Sequence, residues 1–192
     1  SNIGGWTSKT SYTSMLAGNT QFVPNYAVGA YDSIATTTLG TATSSITFSS
    51  IPATYTHLQI RLMNLQTAAD NIKLTFNSDT ASNYSWHQLT GDGATAGAAS
   101  GTSQAFIFVG NTNSAAASYT GAAIIDVLEY ANANIYKTVR SLLGSDSNGT
   151  GLVALRSGNW RNTAAVTSIT LTASSGNLNT YTSAALYGIK GA

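Results

Sequence analysis

The chain has 192 residues, 43% of them hydrophobic and only 8% charged, with a formal net charge of +1. Ordinary soluble domains carry about 25% charged residues, so this surface must be built from Ser, Thr, Asn and Gly. The balance excludes a basic field that would draw in phosphates, and nucleic acid is not an expected partner.

Cysteine is absent, which excludes a disulfide framework, a thiolate nucleophile and a zinc-thiolate site. At this length roughly 70% of the unfolded chain's surface can be buried, so a core needs no staples. No apolar run approaches the roughly 18 residues of a spanning helix, and membrane insertion is not expected. The opening SNIGGWTSKT lacks a basic region followed by an apolar stretch, so it does not read as a secretion signal. So little charge also means little colloidal repulsion, which suits a protein packed into an assembly.

Residues 1–30 show no sustained alternation, but they carry large apolar anchors at Ile3, Trp6, Tyr12, Met15, Leu16, Phe22 and Tyr26. Free tails are polar and charged. The expectation is an attachment arm ordered by a neighbour; the alternative is a segment packed on its own domain.

From Tyr31 onward, short period-two runs alternate with turn chemistry, and residues 31–192 read as one domain. The runs fall near 34–39, 45–48, 57–63, 72–76, 84–89, 104–109, 122–130, 136–143, 151–157, 166–172 and 183–189. Gly91-Asp92-Gly93, Gly110-Asn111, Asp146-Ser147-Asn148-Gly149, Ser157-Gly158-Asn159 and Ser174-Ser175-Gly176-Asn177 separate them as turns. Ile51-Pro52 sets a corner between two runs. AAIIDVLEYANA admits a helix, but the β-branched runs around it favour a long hairpin. The small-residue stretch 91–103 reads as a loop, either a free tip or a place of close backbone approach. The expected architecture is all-β: a two-sheet antiparallel β-sandwich.

Residues with chemistry are sparse. His57 and His87 lie in separate runs without metal-ligand spacing, and each reads as a half-buried, hydrogen-bonded strand residue. Asp126 and Glu129 are three apart, which puts them on opposite faces of a strand. Paired carboxylates for glycoside hydrolysis would have to come from distant strands, so a hydrolase is disfavoured. No Gly-x-Ser-x-Gly elbow or dinucleotide turn is present, and no cofactor or metal site is expected. Trp160 stands in RSGNWRN between Arg156 and Arg161. An exposed Trp–Arg group would suit recognition of a glycan or protein; the alternative is a tryptophan closing one end of the sandwich.

The ordered series YDSIATTTLG, SSITFSSIPATYTHLQIRL, NSDTASNYSWHQLTGDG, IIDVLEYANANIYKTVRSLLG and ALYGIKG resembles a family of bacteriophage virion structural proteins, found in tail fibres and minor structural proteins of phages of aquatic bacteria. The resemblance covers about residues 31–190. It implies a sandwich of jelly-roll type on the particle exterior and carries over no catalytic residues.

Two non-enzymatic readings follow from it. In the first, the chain is a tail-fibre or receptor-binding module for host adhesion, anchored by its arm. Loops 91–103, 110–119 and 157–162 would then meet a host surface glycan or protein, with Arg156, Trp160, Arg161 and Asn111 as contact candidates. In the second it is a capsid decoration, or cement, protein. Both imply other virion proteins as partners, a homo-oligomer with a trimer favoured, assembly in the host cytoplasm and release by lysis.

Overall fold

The structure is a computed structural model that describes residues 30–112 and 118–191. Among the described residues there are twelve strands and no helix. They are β1 (Tyr31–Thr38), β2 (Ser45–Phe48), β3 (His57–Asn64), β4 (Asp70–Phe76), β5 (Tyr84–Gly91), β6 (Ala96–Gln104), β7 (Ile107–Thr112), β8 (Gly121–Leu128), β9 (Lys137–Asp146), β10 (Gly151–Trp160), β11 (Ile169–Ala173) and β12 (Ser183–Ile189).

They form an eight-stranded sheet, β1-β12-β3-β8-β9-β10-β5-β6, and a four-stranded sheet, β2-β11-β4-β7, with every pairing antiparallel. The chain switches sheets repeatedly. β1, β3, β8 and β12 lie in the large sheet; β2, β4, β7 and β11 lie in the small one. The hairpins β5-β6 and β9-β10 both extend the large sheet beyond β8.

One core fills the space between the sheets. Leu58, Ile60, Ile125, Val127 and Leu186 come from the large sheet; Ile72, Leu74, Phe76, Ile107, Ile169 and Leu171 come from the small one. Alternation explains the division: β8 and β9 bury every second residue along most of their length. Residues 122–128 of AAIIDVLEY are therefore strand and pair with β9 as the expected hairpin, whereas Glu129, expected across the strand from Asp126, lies in the turn after it with φ 51°.

The Ile51-Pro52 corner sits where the chain leaves β2 in the small sheet for β3 in the large one. Two groups hold it. The Ile51 amide donates to Thr167 O at 3.0 Å. The buried Tyr130 hydroxyl donates to Pro52 O and accepts from the Tyr55 amide. The stretch turns the chain between layers.

Three expectations need correction. Stretch 91–103 is not a loop throughout: Ala96–Gln104 is the edge strand β6, paired along β5. Its Ala, Gly and Ser residues have little strand propensity of their own, and β5 supplies the ladder that orders them. Ser157-Gly158-Asn159 and Gly110-Asn111 are not turns either, for they lie inside β10 and β7. Gly158 is there because the sheets approach closely: a Cβ at that position would stand 2.4 Å from Ile107 Cγ2.

Candidate interaction surface

Period two gives the large sheet a second face, turned away from the core. On it, directly paired residues line up in rows across six strands. The central row is Arg61, Ile124, Leu142, Leu155, Leu89 and Ala98. On one side runs Met63, Ala122, Gly144, Val153, Gly91 and Ala96. On the other runs Gln59, Asp126, Arg140, Ser157, His87 and Ser100. Leu89 and Val153 are each 61% exposed and Leu142 is 57% exposed. Large apolar groups thus stand in solvent in cross-strand register, where neighbouring side chains merge into one strip.

A polar border flanks the strip toward β3 and β12. Asp126 accepts from Gln59 Nε2 and from Arg140 Nη2, both at 2.9 Å. Arg61 Nε donates to Gln59 Oε1 at 3.3 Å, and its guanidinium lies 5.2 Å from the Tyr187 ring centroid. Toward β6 the surface drops, because Ala98 and Ser100 are small. A depression of about 490 Å³ opens there, lined on this face by His87, Leu89, Leu155, Ala98, Ser100 and Ser157. An apolar centre with a polar margin is the anatomy of a protein–protein contact.

This surface escaped the sequence reading, although a signal for it was present. Ile124-Ile125, Leu142-Leu143 and Leu152-Val153 are adjacent apolar pairs. A half-buried strand needs only one apolar residue in two, so a doubled pair marks a strand apolar on both faces.

The contact candidates named from sequence fare differently. Trp160 is buried, which corrects the exposed Trp–Arg reading: it closes one end of the core. Its ring stacks near Tyr84, with centroids 6.3 Å apart, and its indole N–H donates to Asp79 Oδ2 at 2.7 Å. Arg156 is buried as well, because its position in β10 faces inward. It donates to Gly110 O at 3.1 Å and Asn71 Oδ1 at 2.6 Å, and burial pushes its pKa down to about 10. Asn111 belongs to the same buried group and donates to Asn71 Oδ1 at 3.3 Å. Arg161 alone of the four is exposed, with its guanidinium bound to Ser82 O. The candidates Ile3, Trp6, Tyr12, Met15, Leu16, Phe22 and Tyr26 lie outside the described residues.

His57 is half-buried as expected, and its Nδ1 accepts from the Glu129 amide at 3.0 Å. His87 departs from expectation: it is exposed on the outer face, beside the depression. The seven acids all serve their own fold. Asp32 pairs with Lys190 and Asp126 with Arg140. Asp70, Asp79, Asp92 and Asp146 accept from nearby backbone amides, and Glu129 accepts from Asn132. Among the described residues, no three His, Asp or Glu side chains gather as a metal site would require.

No protein family, curated protein or solved structure matches this chain.

Proposed function

We propose that this chain is a non-enzymatic structural protein of a bacteriophage virion, an exposed tail-fibre or receptor-binding module anchored through residues 1–30. The apolar strip on the outer face of the large sheet carries the proposal. A weakly charged chain that presents paired leucines to solvent is built to be covered by a neighbour. Other virion proteins are the partners it would meet, and a host glycan or protein the target of the exposed end. The engagement of every acid in turns and pairs supports a binding role over hydrolysis, which needs carboxylates free to act on a substrate.

The jelly-roll reading belongs to the same proposal. β1-β12-β3-β8 and β2-β11-β4-β7 interleave in chain order as nested Greek keys do, with two hairpins widening one sheet. Head decoration is the second reading. The breadth of the apolar face favours it, since a face six strands wide suits a subunit lying on a shell better than a loop-led adhesin.

Imaging of the whole particle is the test. A few to tens of copies on the tail establish the module reading, and hundreds on the head establish decoration. Absence of the protein from purified particles sinks both. Deletion of residues 1–30 is expected to abolish incorporation, and unchanged incorporation removes the arm from the proposal.

A further inference from the structure

The two outer faces of the sandwich differ. The large sheet shows solvent its apolar strip, whereas the small sheet shows mainly polar groups. One row there runs Thr47, Thr170 and Thr75; the next runs Ser45, Thr172, Lys73 and Phe108. The Thr47 and Thr170 hydroxyls meet at 3.0 Å. Where the β4–β5 turn and the β6–β7 connection meet these rows, a depression of about 370 Å³ opens, within the range of small-ligand sites. Lys73, Thr75, Ser78, Thr80, Phe106 and Thr172 line it. None of them lies in a loop that the sequence reading assigned to receptor contact.

We infer that this depression binds an acidic sugar, a glycan unit that carries a carboxylate. The charge selects the acid. Lys73 is half-buried, its Nζ lies 4.7 Å from the Phe106 ring centroid, and among the described residues no carboxylate pairs with it. Asp79 stands between Ser78 and Thr80, but its carboxylate is held by the Trp160 indole at 2.7 Å, by Asn83 Nδ2 and by the Ala81 amide. A lone ammonium suits one carboxylate, whereas phosphate favours a fork of donors or a nest of backbone amides. The hydroxyls select the sugar. Thr75, Ser78, Thr80 and Thr172 each bring an O–H that both donates and accepts, and no hydrogen bond to a described residue occupies those hydroxyls. Sugar hydroxyls have the same dual character. Phe106 supplies an apolar wall for the C–H face of the sugar ring.

A peptide is a poorer occupant. β4 and β11 are the two inner strands of the small sheet, so the floor has no free backbone for an added strand. The walls are fixed in place. Phe106 packs on Phe108 with centroids 4.8 Å apart. Phe108 in turn meets the Trp86 ring at 5.1 Å and the Arg156 guanidinium at 5.7 Å. On the other side Asn77 and Ser78 hold φ of 50° and 56° in a tight turn, closed by the Asp79 amide donating to Phe76 O at 2.8 Å. Asn77 Oδ1 anchors that turn by accepting from the Thr167 and Ser168 amides at 2.8 and 3.1 Å. Walls set before a ligand arrives cost little ordering entropy on binding. The depression and the apolar strip lie on opposite faces of the sandwich, so a copy seated by its strip presents this site outward. Sugar binding here does not depend on the virion proposal.

The test is an NMR titration of the full-length chain with oligosaccharides ending in glucuronate, galacturonate or sialate, each beside a neutral counterpart. At least one acidic series is expected to shift the amides around residues 73–80, 105–106 and 170–172. It is expected to bind roughly tenfold more tightly than its neutral counterpart, as a hydrogen bond to a charged group implies. Lys73→Met keeps the stem and removes the ammonium; it is expected to erase that preference with little change in melting temperature. Thr75→Val removes one hydroxyl and is expected to weaken acidic and neutral ligands together. Leu155→Asp, on the opposite face, is expected to bind like the parent. No binding of any acidic oligosaccharide at millimolar concentration overturns the inference. So does equal binding of acidic and neutral sugars, or a preference that survives in Lys73→Met. Displacement of the bound sugar by an equal concentration of inorganic phosphate also overturns it, since that marks an anion site only.

Discussion

Trp160 and Asp79 lie 81 positions apart in the chain, yet the indole Nε1–H meets Asp79 Oδ2 at 2.7 Å. The contact pins the end of β10 to the turn after β4, and Asn83 Nδ2 reaches the same carboxylate oxygen. Partial burial works against ionisation of Asp79, but the hydrogen bonds from Asn83, Trp160 and the Ala81 amide outweigh it and hold the carboxyl below its ordinary value.

A carboxyl with a lowered folded-state pKa stabilises the fold above its unfolded value, and that contribution disappears as pH falls through the folded value. Melting temperature is therefore expected to drop as pH is lowered below about 4. Asp79→Ala is expected to cost about 2 kcal/mol at neutral pH, because it strands the buried indole donor. Thermal melts of both proteins from pH 7 to pH 3 check this; an unchanged acid limb in the variant would refute the assignment.

The alkaline limb belongs to Tyr84. Its hydroxyl accepts from the Phe76 amide at 3.0 Å and donates to Asp79 O at 3.0 Å. Burial, together with the Asp79 charge, pushes the phenol up to about 12. An unfolded tyrosine ionises near 10, so this group's stabilisation is complete below pH 10 and is lost as pH rises through 12. Tyr84→Phe is expected to be about 1–2 kcal/mol less stable at pH 7 and to flatten the stability curve between pH 10 and 12. Denaturant titrations across that range measure both effects.

Lys137 is buried, and among the described residues no carboxylate pairs with its ammonium. Nζ donates to the carbonyls of Asn132, Ile135 and Thr163, which ties the β8–β9 turn to the segment after β10. Lys137→Met keeps the apolar stem and removes all three donors, and is expected to destabilise by about 2–4 kcal/mol. Hydrogen exchange is expected to rise first around residues 129–136, where the cage opens. A variant as stable as the parent would show that the carbonyls find water instead.

Gly158 and Ile107 mark a close approach of the two sheets. Gly158→Ala drives a Cβ to within 2.4 Å of Ile107 Cγ2 and is expected to cost about 1–3 kcal/mol. Ile107→Ala makes room for that carbon. The double variant is expected to lose clearly less than the sum of the two single losses, as contacting sites do. Strict additivity in chemical denaturation would contradict the packing argument.

The outer strip separates assembly from stability. Leu155→Asp and Leu89→Asp alter groups that the fold leaves half-exposed or more, so unfolding free energy is expected to stay within about 1 kcal/mol of the parent. Incorporation into particles is expected to fall sharply. If incorporation holds in the double variant, the strip is not the contact surface.

The amino-acid sequence by itself determined the all-β class, a corner at Ile51-Pro52 and most of the inward residues, while the change of sheet at that corner came from the tertiary structure. The first three follow from local causes: period-two spacing, β-branched runs and turn residues act within a few positions of themselves. It also held the doubled apolar pairs at Ile124-Ile125 and Leu142-Leu143, whose meaning depends on which neighbour pairs with which. Tertiary structure decided the rest. β6 is a strand only because β5 supplies its ladder, and Trp160 and Arg156 are buried only because β10 turns them toward the small sheet. The outer rows exist because six strands fell into one register. Side-chain spacing within a strand is encoded locally, but cross-strand register is set by partners that can lie more than a hundred residues away, as Tyr31 and Ile189 do, and no local pattern reports it.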